Sequence, residues 1–122
     1  MSNTIVWTDI PVNDLKRAAK FYAAVLGEKV TMQSHGDWKM ALLPHAKDNV
    51  SGCLSQMEDN QPSQTGPLIY LNVNGRLKKA VAAAKKHKGK IVQEPHQIGP
   101  YGFRAVILDS EGNRIALHSE KA

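Results

Sequence analysis

The segment Leu15-Lys16-Arg17-Ala18 returns as Leu77-Lys78-Lys79-Ala80, and each copy lies in a stretch with apolar residues at helical spacing. The same step of 62 residues carries Gly27 onto Gly89 and Val30 onto Val92, and a step of 61 carries Val12-Asn13 onto Val73-Asn74. A tandem duplication is the simplest reading. Each copy is too small to cover its own sheet face, so the two must pack together, and the seam between them is where a ligand cavity forms.

In copy one, residues 5–12 alternate and contain Pro11, which suits a strand at or near a sheet edge. Asn13 and Asp14 cap a helix whose apolar stripe is Leu15, Ala18, Ala19, Tyr22, Val25 and Leu26, with Gly27 where the helix end favours positive φ. Three short strands are predicted near 29–34, 38–43 and 50–56, separated by His35-Gly36-Asp37 and by the turn-forming stretch 44–49. Residues 57–67 are polar, carry Pro62, Gly66 and Pro67, and read as a linker. Copy two repeats the order with a strand over 68–73, a helix over 76–88 closed by Gly89, and strands near 90–94, 102–108 and 114–119. The turn Asp109-Ser110-Glu111-Gly112-Asn113 joins the last two as a hairpin. The expectation is a single domain over 1–122, with module one at about 4–56 and module two at about 68–120. Each module is βαβββ, and the class is α+β with helices outside a curved sheet, because each helix has one apolar face with which to cover it.

A content of 42% hydrophobic and 22% charged residues excludes disordered and fibrous classes. No apolar run approaches the roughly 18 residues of a membrane helix, and Met1-Ser2-Asn3-Thr4 lacks the basic and apolar regions of a signal peptide. A cytoplasmic protein without membrane contact is expected. The lone Cys53 has no internal partner, which agrees with a reducing compartment and with a small core residue. The net charge of +5 is concentrated at Arg76, Lys78, Lys79, Lys85, Lys86, Lys88 and Lys90. Leu77, Ala80, Val81 and Ala84 form the apolar stripe of that helix, so the basic residues take its solvent side, and no aromatic residues interleave with them for base stacking. No nucleic-acid partner is expected.

Three ordered pieces carry a resemblance: Ile10-Pro11-Val12-Asn13-Asp14-Leu15 leading into Phe21-Tyr22 and Leu26-Gly27, then Leu71-Asn72-Val73-Asn74, then Asp109 through Leu117. Together with the internal repeat, they make the chain similar to the vicinal oxygen chelate superfamily, which includes glyoxalase I, bleomycin-resistance proteins and extradiol dioxygenases. The resemblance implies tandem βαβββ modules forming a curved, barrel-like mixed sheet whose concave side can hold a divalent metal. It also implies that the metal ligands come from the first and last strand of each module, as His, Gln or Glu. Those places fall here on Trp7, approximately Leu54, Leu68 and Ala116, none of which offers a lone pair. A slip of one residue brings Cys53 or Ser55 and Leu117 into view, which still does not assemble three good ligands. The histidines His35, His45, His87, His96 and His118 show no H-E-x-x-H spacing. No metal and no cofactor are expected.

Strand alternation nominates the cavity wall, since residues two apart share a face. Trp7 brings Asp9; Leu68 brings Tyr70 and Asn72; Ala116 brings Arg114 and His118; Leu54 brings Gln56. By resemblance, the first and last strands of a module are parallel neighbours, which places Tyr70 beside His118 and makes them the candidate catalytic pair. Asp9 is a carboxylate on an otherwise apolar face and needs a partner: Arg114, Lys39, water or a ligand cation. Trp7 and Tyr70 are core aromatics or stacking surfaces, while Trp38, Met32, Met40 and Leu42 are core or pocket wall. Arg104 meets an anionic group or faces outward. The stretch Gln97-Ile98-Gly99-Pro100-Tyr101-Gly102-Phe103-Arg104 reads as a fixed turn or a mobile flap at the cavity mouth, the turn being favoured.

Two function classes emerge. One is a metal-independent small-molecule binder of the glyoxalase/bleomycin-resistance type that sequesters an aromatic or amphipathic compound. The alternative is an acid–base enzyme, a lyase or isomerase on a small carbonyl or epoxide substrate. A metal-dependent enzyme is disfavoured by the four vacated ligand places. By resemblance, the chain forms a homodimer.

Overall fold

Asp14 starts the first helix, because its carboxylate accepts a hydrogen bond from the Arg17 N–H at 3.1 Å. Gly27 ends it at φ 72°, a left-handed conformation that side chains resist. In the computed structural model, which describes residues 3–122, this helix is α1, Leu15–Leu26, preceded by β1, Trp7–Pro11. Strands β2, Thr31–His35, β3, Trp38–Leu42, and β4, Ser51–Ser55, complete module one. Module two contains β5, Ile69–Asn72, α2, Leu77–Lys86, β6, Lys90–Gln97, β7, Phe103–Leu108, and β8, Arg114–Ser119. Met1 and Ser2, part of the N-terminal reading, lie outside the described residues. No helix among the described residues is long and apolar enough to cross a membrane.

The α+β class and the tandem βαβββ order stand, and the mixed sheet is divided into two four-stranded halves ordered β1-β4-β3-β2 and β5-β8-β7-β6. In each half the first strand pairs in parallel with the last and the remaining pairs are antiparallel. That leaves β1 and β5 as edges. The modules meet instead through α1 against α2. The core between sheets and helices is built from Phe21, Tyr22 and Val25 of α1, Leu77 and Val81 of α2, and strand residues that include Ile10, Leu54, Ile107 and Leu117. Each large apolar side chain fully buried there contributes about 1.5–3 kcal/mol.

The β7–β8 turn does more than reverse the chain, because it reaches across to module one. The Glu111 carboxylate accepts from the N–H groups of Asn13 and Asp14 at 2.9 and 2.8 Å, and from Arg17 Nε and Nη2 at 2.7 and 2.8 Å. Burial pushes this carboxyl up, but the Arg17 guanidinium, the Asp14 N–H, the Ser110 hydroxyl and the Asn13 N–H outweigh it and hold the pKa down at about 2. Asp109 accepts from the Tyr22 hydroxyl at 2.5 Å, and Asn113 Nδ2 donates to the Pro11 carbonyl at 2.7 Å. Burial and the facing Asp109 carboxylate push the Tyr22 phenol well above its usual range. From the opposite end, the Arg76 guanidinium donates to the Val25 carbonyl at the C-terminus of α1.

The segment Gln97 to Arg104 forms a hydrogen-bonded turn. Strand β6 runs three residues further than predicted, to Gln97, and a single 3-10 turn, Gly99–Tyr101, leads into β7. The Ile98 N–H donates to the Gly102 carbonyl at 2.8 Å, and a side chain at Gly102, where φ is 93°, would meet the Ser119 carbonyl oxygen at 2.6 Å.

Candidate functional site

Alternation along the strands divides the sheet residues between two faces. Ile10, Ala41, Leu54, Ala105, Ile107, Ile115 and Leu117 join the core beneath the helices, whereas the buried residues Met40, Cys53, Val106 and Ala116 lie outside that cluster, on the face turned away from the helices. Between the edges β1 and β5 runs an open groove of about 820 Å³, walled by Trp7, Asp9 and Pro11 on one side and Leu68, Tyr70 and Asn72 on the other. Residues of the linker, Asn60 to Thr65, close its rim. The linker is fixed there, since the Ser63 N–H donates to Asn113 Oδ1 at 3.1 Å and Arg114 Nε donates to the Gln64 carbonyl at 3.0 Å.

The module-one end is aromatic and carries the Asp9 carboxylate, and Glu28 also lines the groove. Register places Trp7, Asp9 and Pro11 beside Ser51, Cys53 and Ser55, and Met40 beside Ser55. Trp7 Nε1–H donates to Asp9 Oδ1 at 3.1 Å, the Cys53 thiol donates to the same oxygen at 3.3 Å, and Trp38 Nε1–H donates to Ser55 Oγ at 3.1 Å. Both tryptophans remain 42% exposed, so each ring offers a stacking face. Asp9 meets neither of the cations considered for it: Arg114 is taken by the linker, and Lys39 alternates with Trp38 and Met40 onto the opposite face. The ion pair among the described residues is Arg17–Glu111. Burial, then the Asp9 carboxylate, push the Cys53 thiol up to about 11, against a lowering from Trp7, so this cysteine is a proton donor to Asp9 and no nucleophile at neutral pH.

The module-two end gathers Tyr70, Arg104 and His118. Tyr70 and His118 stand with ring centroids 6.3 Å apart at 61°, on paired strands that also bring Ala116 beside Tyr70. His118 Nε2 lies 2.6 Å from the Tyr101 carbonyl, which can only accept, so the ring proton sits on Nε2 and Nδ1 is the acceptor in the neutral ring. Arg104 shares this face: it donates to the Tyr70 hydroxyl at 2.5 Å and to His96 Nε2 at 3.1 Å.

Two wall assignments are corrected. Leu54 faces the core, fully buried opposite Ile10, and Cys53 takes its place on the open face opposite Asp9. The reason is volume: an isobutyl group fills space beneath α1, which leaves the smaller thiol and the hydroxyls of Ser51 and Ser55 for the open side. Met32 likewise turns away from the groove face and is 48% exposed opposite Ala41. The four places where a metal ligand would be sought are therefore Trp7, Cys53, Leu68 and Ala116. Only the thiol among them is a donor, it holds its proton, and the described residues contain no group of three His, Cys, Asp or Glu side chains able to share an ion. This donor set does not fit a divalent cation.

His96 and Gln93 as partners of Arg104, and the linker residues of the rim, were missed from sequence. His96 lies directly across from Arg104, but only because β6 runs past its predicted end with an irregular register, so no sequence signal announced it. The linker carries no local pattern that announces a wall.

Comparison with known proteins agrees with this architecture. The family model described as glyoxalase/bleomycin resistance protein/dioxygenase superfamily matches residues 4–117. A glyoxylase-like domain-containing protein of Didymella fabae is 32% identical, with 89% of this chain and 88% of that protein covered. The crystal structure of a glyoxalase/bleomycin resistance protein from Albidiferax ferrireducens T118 superposes with a TM-score of 0.72 at 19% identity, covering 96% of this chain and 99% of that one. The trypanothione-dependent glyoxalase I of Leishmania major gives a TM-score of 0.68 at 23% identity, covering 98% and 88%.

Proposed function

We propose, since this chain belongs to the glyoxalase/bleomycin resistance protein/dioxygenase superfamily, that it is a metal-independent small-molecule binder that sequesters an aromatic cation in the groove between its modules. One observation carries the reading: Asp9 stands beside the exposed indole of Trp7, with one oxygen held by Trp7 and Cys53 and no protein cation against it. A carboxylate fixed in this way lacks a counter-charge, and a flat cationic ligand supplies it while stacking on Trp7. The groove volume, about 820 Å³, lies within the range of drug-sized pockets, roughly 300–1,000 Å³. No step needs a metal, and the side chains at the four family ligand places do not supply one.

Titration of a planar acridinium dye tests this reading through the intrinsic fluorescence of the two tryptophans, both of which lie on the groove face. The expected result is saturable quenching that a strong chelator does not alter, that falls at least about tenfold in affinity in Asp9→Ala, and that His118→Ala leaves in place. Quenching abolished by the chelator, or unchanged in Asp9→Ala, rejects it.

The acid–base enzyme is kept as a second reading on one observation. The neutral His118 ring presents Nδ1 as an acceptor near a Tyr70 phenol whose oxygen already accepts from Arg104, so a base and an acid stand on one face. Turnover of a small carbonyl or epoxide compound, lost in both His118→Ala and Tyr70→Phe, would replace sequestration with catalysis.

A further inference from the structure

Arg104 is a partly buried cation held by neutral side chains. Its Nε–H donates to His96 Nε2 at 3.1 Å, Nη1 to the Tyr70 hydroxyl at 2.5 Å and Nη2 to Gln93 Oε1 at 3.5 Å. His96 accepts in this way only as a neutral ring with its proton on Nδ1, and that nitrogen indeed lies 2.8 Å from the Glu94 carbonyl. Strands β5 and β6 therefore fix the guanidinium together, and the Tyr70 ring backs it at 5.9 Å from centroid to Cζ. No carboxylate pairs with it among the described residues.

The other arginines have structural work. Arg17 grips Glu111, Arg76 meets the end of α1 and Arg114 holds the linker, the last two through main-chain carbonyls. Arg104 staples no main-chain group. A guanidinium carries five N–H donors, and the three spent on neighbours leave two for a ligand. Tyr70 itself lines the groove that Trp7 and Asp9 line, so Arg104 stands one side chain from the same pocket. A partly buried, pre-oriented guanidinium without a counter-ion recognises an oxyanion.

We propose that Arg104 is the anion-binding corner of this groove, and that the ligand is an amphoteric aromatic compound with a cationic centre for Asp9 and a carboxylate for Arg104. The proposal rests on the aromatic-cation reading above and adds the second charge. It is tested with two aminoxanthylium dyes that are alike except that one carries a free aryl carboxylate and the other its methyl ester. The parent protein is expected to bind the acid about tenfold tighter than the ester, with the difference shrinking at high salt. Arg104→Gln, its fold checked by thermal melting, is expected to weaken the acid to the level of the ester, and Arg104→Lys to restore part of the preference. Tyr70→Phe, which removes one of the three groups that orient the guanidinium, reduces the preference without abolishing it. Asp9→Asn weakens both dyes. Equal binding of acid and ester by the parent, or a preference that survives Arg104→Gln, overturns the anion corner while the aromatic-cation reading stands. If neither dye binds the parent, that reading fails and the amphoteric ligand fails with it.

Discussion

The two helices begin with nearly the same four residues and are held by different means. Helix α1 is gripped at both ends by the other module: Glu111 takes its first N–H groups and Arg17, and Arg76 meets its last turn. Helix α2 has no side-chain cap at its start, and its entry is tied within its own module, where the Gly75 N–H donates to Ser119 Oγ at 3.0 Å. The repeat explains how this arose. The step of 62 residues carries Asp14, the cap of α1, onto Arg76, and carries Asn49 onto Glu111, so module one has no acid where module two has its grip. Duplication gave two similar units, and the charges that later diverged at matching positions now bind one unit to the other.

The comparison breaks first at Glu111. Glu111→Ala leaves Arg17 and the N–H groups of Asn13 and Asp14 without their acceptor, and about 3 kcal/mol of unfolding free energy is expected to be lost in denaturant melts. A loss no larger than that of an exposed α2 substitution, such as Lys79→Ala, would mean that the helices are held alike. The same carboxylate sets an acid limb. Its folded pKa of about 2 lies below the ordinary 4.5, so the unfolded chain binds the proton more readily, and the contribution is present above about pH 4.5 and is lost as pH falls toward 2. Parent stability is expected to drop by on the order of 3 kcal/mol through that window, and in Glu111→Gln the drop shrinks.

Tyr22→Phe ranks next. It removes the donor to Asp109 while keeping the ring in the core, at an expected cost of about 1.5 kcal/mol measured by chemical denaturation. Gly27→Ala is expected to cost about 1–2 kcal/mol in the same measurement, because φ is +72° and the new Cβ would stand 2.8 Å from Arg76 Cζ. In the double variant with Arg76→Ala that close contact is absent, so the two costs should sum to less than their separate values. The smallest effect is Arg76→Ala alone, about 1 kcal/mol by thermal melt, the worth of a cation at a helix end.

The fold was legible because the repeat, the helical stripes and the capping residues all point the same way, and β8 has the predicted bounds, Arg114–Ser119. Register within β4 was not legible. Gly52, Cys53 and Leu54 are small or apolar in succession, so alternation has no phase there, and only packing against α1 decides that Leu54 turns inward. The turn from Asp109 to Asn113 was read correctly as a hairpin, but its grip on α1 was invisible, since Glu111 and Arg17 are 94 residues apart and an acidic turn residue is ordinarily solvated. At the site, alternation from Trp7, Leu68 and Ala116 led to Asp9, Tyr70 and His118, and the parallel pairing of β5 with β8 set the last two side by side. The neutral side chains around Arg104 depend on irregular register between β6 and β7, which no period of the sequence encodes.

The stretch joining the modules is also the rim of the groove, pinned at Ser63 and Gln64 to the start of β8. The shape of the mouth is thereby partly uncoupled from architecture: grafts at Asn60 to Gln61 reshape it while both sheets, and the charges that clasp them, keep their places. A lineage or an engineer can recut the opening of this groove by editing the connector alone.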